Sequence, residues 1–319
     1  MRSPNFWKDD NLISAVLSPA AGIYKILSKR KYAKITPQKV EVPVICIGNL
    51  VAGGAGKTPV ALAIGNILKS LGKNVHYISR GYKGSNSGVL RVNPTEHNAD
   101  LVGDEPLLLA EILPTWVAKD RVAAANAAIA AGAEMLIMDD GFQNPSLIKD
   151  VSILVIDGEY GLGNKKTLPA GPLREDVASG IARANAVIII GEDKHGINAL
   201  IPAEKKIIQA KMQPLPSAYI LKDKDVIAFA GIARPRKFYR TLHEIGCFVK
   251  EMVSFPDHHK FSDKDIKELK SKALEFNSQL VTTSKDYVRL PLEIRKQVMP
   301  VAIEIVFADN AELLKIILD

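Results

Sequence analysis

The sequence predicts an α/β protein: a mostly parallel sheet around a glycine-rich phosphate loop, a second, smaller α/β lobe, and an amphipathic helix ahead of both. Three observations carry this. Residues 42–47 form an apolar, largely β-branched run, which gives way to Gly53-Gly54-Ala55-Gly56 and then to Lys57-Thr58 at the head of an apolar-periodic segment. Short apolar runs then alternate with helix-period segments as far as residue 191, the pattern of parallel strands joined by crossover helices. Beyond it, prolines interrupt the chain and a second alternating series begins near Val226.

In the first segment, Leu12, Ile13, Val16, Leu17, Ala20, Ile23, Tyr24 and Leu27 fall at helical spacing, with Lys25, Lys29, Arg30, Lys31 and Lys34 in or after the run. Ser18-Pro19 reads as the cap of a second short helix. The run is too short and interrupted to span a bilayer, which takes ~20 apolar residues. With Trp7, Tyr24 and the basic tail it suits a helix lying in the interface of an anionic membrane; docking on the protein's own core is the alternative.

Charge agrees with this division. The chain carries +7, of which residues 1–40 hold +6 through eight Lys/Arg against two Asp. The body is nearly neutral and has no basic stripe interleaved with aromatics, so no nucleic-acid partner is expected. Cys46 and Cys247, the only cysteines, lie in apolar runs without metal-ligand spacing, which implies a reduced cytosolic setting.

The run at 42–47 reads as a buried strand. Glycines after it let backbone N–H groups approach an anion, and the following helix adds its own unpaired N–H groups. Lys57 and Thr58 are then placed for a terminal phosphate and Mg²⁺. Val51 stands where the strict G-x-x-x-x-G-K-[ST] pattern has its first glycine, so a purely structural turn is the alternative.

A helix over 58–71, a strand over 73–79 and a loop over 80–84 follow. Gly103-Asp104-Glu105-Pro106 opens the next helix, 115–118 is a strand, Asp120 caps a helix over 121–132, and 134–138 is a strand running into Asp139-Asp140-Gly141-Phe142-Gln143. Strands at 151–157 and 185–191 complete the first unit, with a loop over 158–172 between them. The expected division is an arm over 1–40, a core over 41–202, an extended linker over 203–223 and a smaller lobe over 224–319, with the cleft between lobes.

Paired carboxylates at a strand end suit a Mg²⁺ that bridges phosphates; Asp139 and Asp140 are that pair, or else turn residues. Asp104 and Glu105 read first as helix N-terminal acids, and second as a site where Asp104 takes the proton of a sugar hydroxyl. Asp257-His258-His259 is the densest ionisable cluster of the second lobe, and Arg80, Arg121, Arg174 and Arg234 are candidate phosphate partners.

GNLVAGGAGKTP, SRGYKG, VGDEPLLLA, DRVAAA, MDDGFQ, LPAGPLRE, FAGIARPRKF, FPDHHKF and TTSKDYVRL occur in the order found in the tetraacyldisaccharide 4'-kinases, and residues 10–307 resemble that family. The resemblance implies a P-loop kinase with two lobes that close on nucleotide. It implies ATP and Mg²⁺ as cofactors and an acylated disaccharide 1-phosphate as acceptor, phosphorylated on its 4'-hydroxyl to lipid IVA. It also implies a peripheral enzyme on the cytoplasmic face of the bacterial inner membrane, meeting the membrane surface without an obligatory protein partner. Carried over by motif, Gly53, Gly54, Ala55, Gly56, Lys57 and Thr58 hold nucleotide, and Thr58, Asp139 and Asp140 hold the metal. Lys57, Asp104, Asp257 and His258 are then catalytic, and Arg80, Arg121 and Gln143 contact substrate. Asn144 departs from the family's usual His after DDGFQ.

A membrane-bound nucleotide switch acting on a protein partner is the alternative function. Asn164-Lys165-Lys166-Thr167 is not the guanine-specific N-K-x-D, and Ala52 replaces the second lysine of membrane-partitioning ATPases, so two marks of such switches are missing.

Overall fold

The computed structural model describes residues 4–319; the side chains of Lys29 and Lys31, part of the expected basic tail, lie outside the described residues. A capping box on Asn11 and Ser14 starts α1 (Leu12–Ala33). This helix runs through Pro19, so the second cap expected at Ser18-Pro19 does not form. Proline removes one N–H from the ladder. In the same turn the Ser18 hydroxyl donates back to the Ser14 carbonyl at 2.7 Å. The apolar residues of α1 face outward, with Leu12 81%, Val16 70% and Ile23 60% exposed, whereas Ser14 and Ala21 are buried. No helix of the described residues is long and apolar enough to cross a membrane.

After the arm come β1 (Val44–Gly48), α2 (Lys57–Ser70), β2 (Val75–Ser79), β3 (Leu90–Arg91), α3 (Ala99–Val102), α4 (Asp104–Ala110), β4 (Thr115–Val117) and α5 (Arg121–Ala130). β5 (Met135–Asp139), β6 (Val151–Asp157), α6 (Val177–Arg183), β7 (Ala186–Ile190) and β8 (Lys206–Pro214) continue the chain. It then forms β9 (Asp225–Ala230), α7 (Pro235–Ile245), β10 (Phe248–Ser254), α8 (Asp263–Glu275), β11 (Gln279–Thr283), α9 (Ser284–Tyr287), α10 (Leu292–Arg295) and β12 (Val298–Val301). β13 (Ile303–Phe307) and α11 (Asn310–Leu318) end it.

Nine strands form one sheet in the order β13-β8-β7-β6-β1-β5-β2-β4-β3, with β1 at its centre. Every pairing is parallel except β13 with β8 and β3 with β4 at the two edges. The inner strands are buried along their whole length, which is why they read as continuous apolar runs. On one face Val60, Ile64 and Leu68 of α2 pack with Leu313 and Ile317 of α11; on the other the alanines of α5 approach Leu136 and Met138 closely.

Two expectations about the C-terminal third change. Residues 206–214, expected within an extended linker, are a strand of the large sheet, and 303–318, expected in the smaller lobe, return to that sheet as β13 and α11. Packing is the reason: Ile208, Ala210, Ile305, Phe307, Leu313 and Ile317 all join the core around α2. Between these strands the chain builds a four-stranded parallel sheet, β10-β9-β11-β12, with its own apolar core.

The carboxyl ends of both sheets face one another. In a parallel sheet each crossover helix starts at the carboxyl edge of the strand before it. Asp157 at the end of β6 therefore meets Arg234 and Lys237 at the start of α7, and Asp104 at the start of α4 meets His258, which follows β10.

Candidate active site

The phosphate loop leaves β1 at its carboxyl end. Gly56 precedes α2 in the left-handed region at φ +85°, and a Cβ there would stand 2.5 Å from Ile190 Cδ1, so this position requires glycine. Val51 has another task. It bridges Leu173, the Ala52 N–H donates to the Pro172 carbonyl at 2.7 Å, and the Arg174 N–H donates to the Leu50 carbonyl at 2.7 Å. The first half of the loop is thus held as extended backbone against residues 172–174, where a β-branched residue is at ease. That explains the departure from the glycine pattern.

Asp139, 2% exposed at the end of β5, accepts from the Thr58 hydroxyl at 2.9 Å through Oδ2, while its buried Oδ1 has no partner among the described residues. Burial, reinforced by the charge of Asp140, pushes its carboxyl up to about 7 despite Lys57. This is a carboxylate short of positive charge beside a hydroxyl, and the pair fits a Mg²⁺ site. Asp140 is different. It takes a two-pronged contact from Arg174 at 2.7 and 3.2 Å and lies 3.6 Å from Lys57 Nζ. Desolvation opposes its ionisation, but Lys57 and Arg174 outweigh it and bring the carboxyl down to about 2.

Gln143, expected against substrate, spends its amide inside the protein. Its Nε2 donates to the Asn49 carbonyl at 2.8 Å and to Glu175 at 2.9 Å, and its Oε1 accepts from Arg174 at 3.2 Å. It braces the loops around Asp140. Asn144 closes a local turn by accepting from the N–H and hydroxyl of Ser146. Gly48 lets this segment lie close on β1: a Cβ there would stand 2.3 Å from Phe142 Cβ.

Asp104 is buried at the start of α4. Its Oδ2 meets His258 Nδ1 at 2.6 Å and accepts from Arg289 Nη2 at 2.6 Å. Burial works against ionisation here too, yet the hydrogen bonds from His258 and Arg289 and the charges of Arg289 and Lys285 hold the carboxyl well below the usual range. Glu105 pairs with Lys285 at 2.8 Å. Asp104, Glu105 and His258 bring ligand-capable atoms within 4.8 Å of one another, but Arg289 and Lys285 already neutralise both carboxylates, which disfavours a second metal there. His258 has φ 60° and its N–H donates to the Gly231 carbonyl; Asp257 lies 3.8 Å from its Nε2 and has a buried Oδ1 without a partner among the described residues. His259 instead turns to Asp265 at 3.0 Å, at the cap of α8.

Of the four arginines singled out as phosphate partners, two are engaged by carboxylates: Arg174 by Asp140 and Arg234 by Asp157. Arg80 is exposed and Arg121 buried, and neither has an ion-pair partner among the described residues. Burial, then the nearby charge of Arg80, lowers Arg121 to about 10, and its Nη1 donates to the Ala118 carbonyl at 2.6 Å. Asp140 and Asp139 act on Arg121 from a distance in the opposite sense. Sequence reasoning missed Arg289 and Lys285, although TTSKDYVRL was a recognised motif; their signal was a run of charge next to a strand.

A family model described as tetraacyldisaccharide-1-P 4'-kinase matches residues 13–319. The chain belongs to this family. A tetraacyldisaccharide 4'-kinase of Rhodospirillum centenum is 47% identical over 311 residues, covering 95% of this chain and 92% of the relative. That of Rhodospirillum rubrum is 45% identical over 311 residues, covering 96% and 94%. Among solved structures, LpxK from Aquifex aeolicus in complex with ATP superposes with a TM-score of 0.78 at 29% identity, covering 96% of this chain and 98% of that one. The tetraacyldisaccharide 4'-kinase fold thus extends across the arm, both sheets and the returning C-terminal strand.

Proposed function

We propose that the chain transfers the γ-phosphate of ATP to the 4'-hydroxyl of a tetraacyldisaccharide 1-phosphate, forming a lipid A precursor. The observation that carries this is the unpartnered oxygen of Asp139 beside Thr58 on the phosphate loop, combined with an ionised Asp104 on the same large-sheet unit, which His258 of the four-stranded unit meets across the cleft. Thr58, Asp139 and, more weakly, the already paired Asp140 would hold Mg²⁺, which when bound neutralises phosphate charge. Residues 53–58 cradle the β- and γ-phosphates through backbone N–H groups, Lys57 Nζ and the Thr58 hydroxyl. Asp104 accepts a hydrogen bond from the 4'-hydroxyl and takes its proton as the O–Pγ bond forms and the bond from Pγ to the β,γ-bridging oxygen breaks, releasing ADP. In a loose transition state the proton moves late, so a weakly basic carboxylate suffices to aim the hydroxyl. His258, backed by Asp257, holds that carboxylate, and Arg80 with Arg121 receives an anionic group of the substrates.

The membrane-interface role of the arm belongs to the same reading. Outward-facing Leu12, Val16 and Ile23 are anchored to the body through Lys25 to Asp176, Lys166 to Asp10 and Trp7 to the Pro169 carbonyl. Basic residues nearby add about 1 kcal/mol each toward an anionic surface. A lipid acceptor is then met at the leaflet, on the side of α1 where Glu175, Arg183 and Arg174 lie near Tyr32. We assign residues 1–40 to this arm, the large sheet to nucleotide, and the four-stranded unit to closing over the acceptor.

The test is turnover with the acylated disaccharide 1-phosphate in mixed micelles. Mg²⁺-dependent formation of the 4'-phosphate supports the reading. Nucleotide hydrolysis without acceptor phosphorylation, stimulated by a protein partner, overturns it in favour of a switch.

A further inference from the structure

Arg289 has no role in the transfer step described above, yet it lies directly against Asp104. Its side chain is 4% exposed. Nη2 donates to Asp104 Oδ2 at 2.6 Å, and Nη1 donates to Asp286 Oδ1 at 2.7 Å and to the Gly231 carbonyl at 2.9 Å. The Gly231 carbonyl also receives the N–H of His258, so one peptide group locates both partners of Asp104. Thr283 in turn fixes Asp286 through its hydroxyl at 2.6 Å. The chain of contacts runs from the end of β11 through α9 to the acceptor carboxylate, and it consists of fully or largely buried groups.

We propose that Arg289 is a positioning residue for phosphoryl transfer: it pins Oδ2 of Asp104 against His258 and leaves Oδ1, which has no hydrogen bond among the described residues, for the acceptor hydroxyl. This rests on the reading of Asp104 as the proton acceptor. A lone His258 contact would allow the carboxyl to rotate about its Cβ–Cγ bond and to share a proton with the imidazole. The guanidinium removes both freedoms, because a fixed cation at Oδ2 favours the ionised form and the planar fork holds one orientation. Lys285 cannot substitute for it, since its Nζ is committed to Glu105 at 2.8 Å and reaches only His258 Nε2 at 3.5 Å. The groups facing the Asp104 carboxylate are thus Glu105 on α4, Asp257 and His258 after β10, and Lys285, Asp286 and Arg289 on and after α9, with the Tyr82 ring edge-on to His258.

The experiment measures kcat and KM against pH for Arg289→Met, Arg289→Lys, Asp286→Asn and the double variant Asp286→Asn/Arg289→Met, and uses Arg289→Ala and Asp104→Ala for chemical rescue. The double variant avoids a lone buried aspartate, so a folding failure of Arg289→Met does not block the test. Asp286→Asn alone is expected to keep the acid limb of kcat/KM in place. Adding Arg289→Met should move that limb upward by about 1–3 pH units. It should also lower kcat by about 10²-fold, with KM for ATP unchanged. Arg289→Lys should leave the acid limb low while kcat falls, separating charge from orientation. Added guanidinium ion should restore part of the rate of Arg289→Ala and none of that of Asp104→Ala. A folded double variant with a wild-type acid limb and kcat overturns the role of Arg289 alone. If Asp104→Asn itself retains wild-type kcat, the proton-acceptor reading fails, and the role of Arg289 with it.

Discussion

Asp139 and Asp104 are both buried aspartates of the large-sheet unit, and their surroundings drive them in opposite directions. Asp139 has one hydroxyl donor, an orphaned oxygen and a carboxyl pushed up to about 7; Asp104 has an imidazole and a guanidinium on one oxygen and is held ionised. Burial penalises ionisation of both; the neighbouring charge of Asp140 adds to it at Asp139, whereas His258, Arg289 and Lys285 outweigh it at Asp104. The lesson is that the unmet requirement of a carboxylate identifies its ligand. Asp139 lacks a cation, which suits a metal site; Asp104 has its cation already and has only an acceptor lone pair to offer, which suits a hydroxyl.

The sharpest way to break this contrast is Asp139→Asn against Asp104→Asn. Each should lower kcat by about 10²–10⁴-fold. Only Asp139→Asn should abolish the rise in melting temperature that Mg²⁺ gives the wild type, as read by differential scanning fluorimetry with and without the ion. An undiminished Mg²⁺ shift in Asp139→Asn removes it as a ligand. Lys57→Met should follow next, with a loss on the order of 10²–10³-fold in kcat and intact folding, since it removes one preorganised charge at the phosphates.

A smaller effect appears in stability against pH. The folded value of Asp104 lies below the unfolded value of about 3.9, so its pairing contributes stability above that pH which is lost as pH falls through the folded value. Melting temperature should therefore drop more steeply below about pH 4 in wild type than in Asp104→Asn. Parallel curves would show that the countercharge is ineffective. On the arm, Val16→Glu with Ile23→Glu should weaken pelleting with anionic vesicles about tenfold while leaving turnover of a micellar acceptor nearly unchanged. The least change is expected from Lys206→Ala, which breaks a 2.9 Å pair whose lysine is 63% exposed; unfolding free energy should stay within about 0.5 kcal/mol. That control separates pairing under desolvation from pairing in water.

Much of this was legible along the chain. Residues 44–58 declared a strand, a turn needing glycine and a helix, because each depends on neighbours within a few positions. Most of the alternating strands and helices up to β7 followed from periodicity, whereas the short β3, α3 and α6 carried no periodic signal. Less legible was the return of β13 and α11 to the large sheet, since an apolar strand with a helix after it looks the same whichever core receives it. Gln143 and Arg174 read as ligand-facing polar residues, yet both are consumed in bracing Asp140.

Sequence alone determined the class of site: a phosphate loop, a carboxylate strand end and a second acid pair at a helix start, each encoded within one short stretch. Only the tertiary structure decided which acid is neutralised and which is left wanting. His258 and Arg289 reach Asp104 from 154 and 185 residues away, and the cost of leaving Asp139 uncompensated arises from burial by the whole sheet. Countercharge and desolvation act through space, and local sequence carries no record of either.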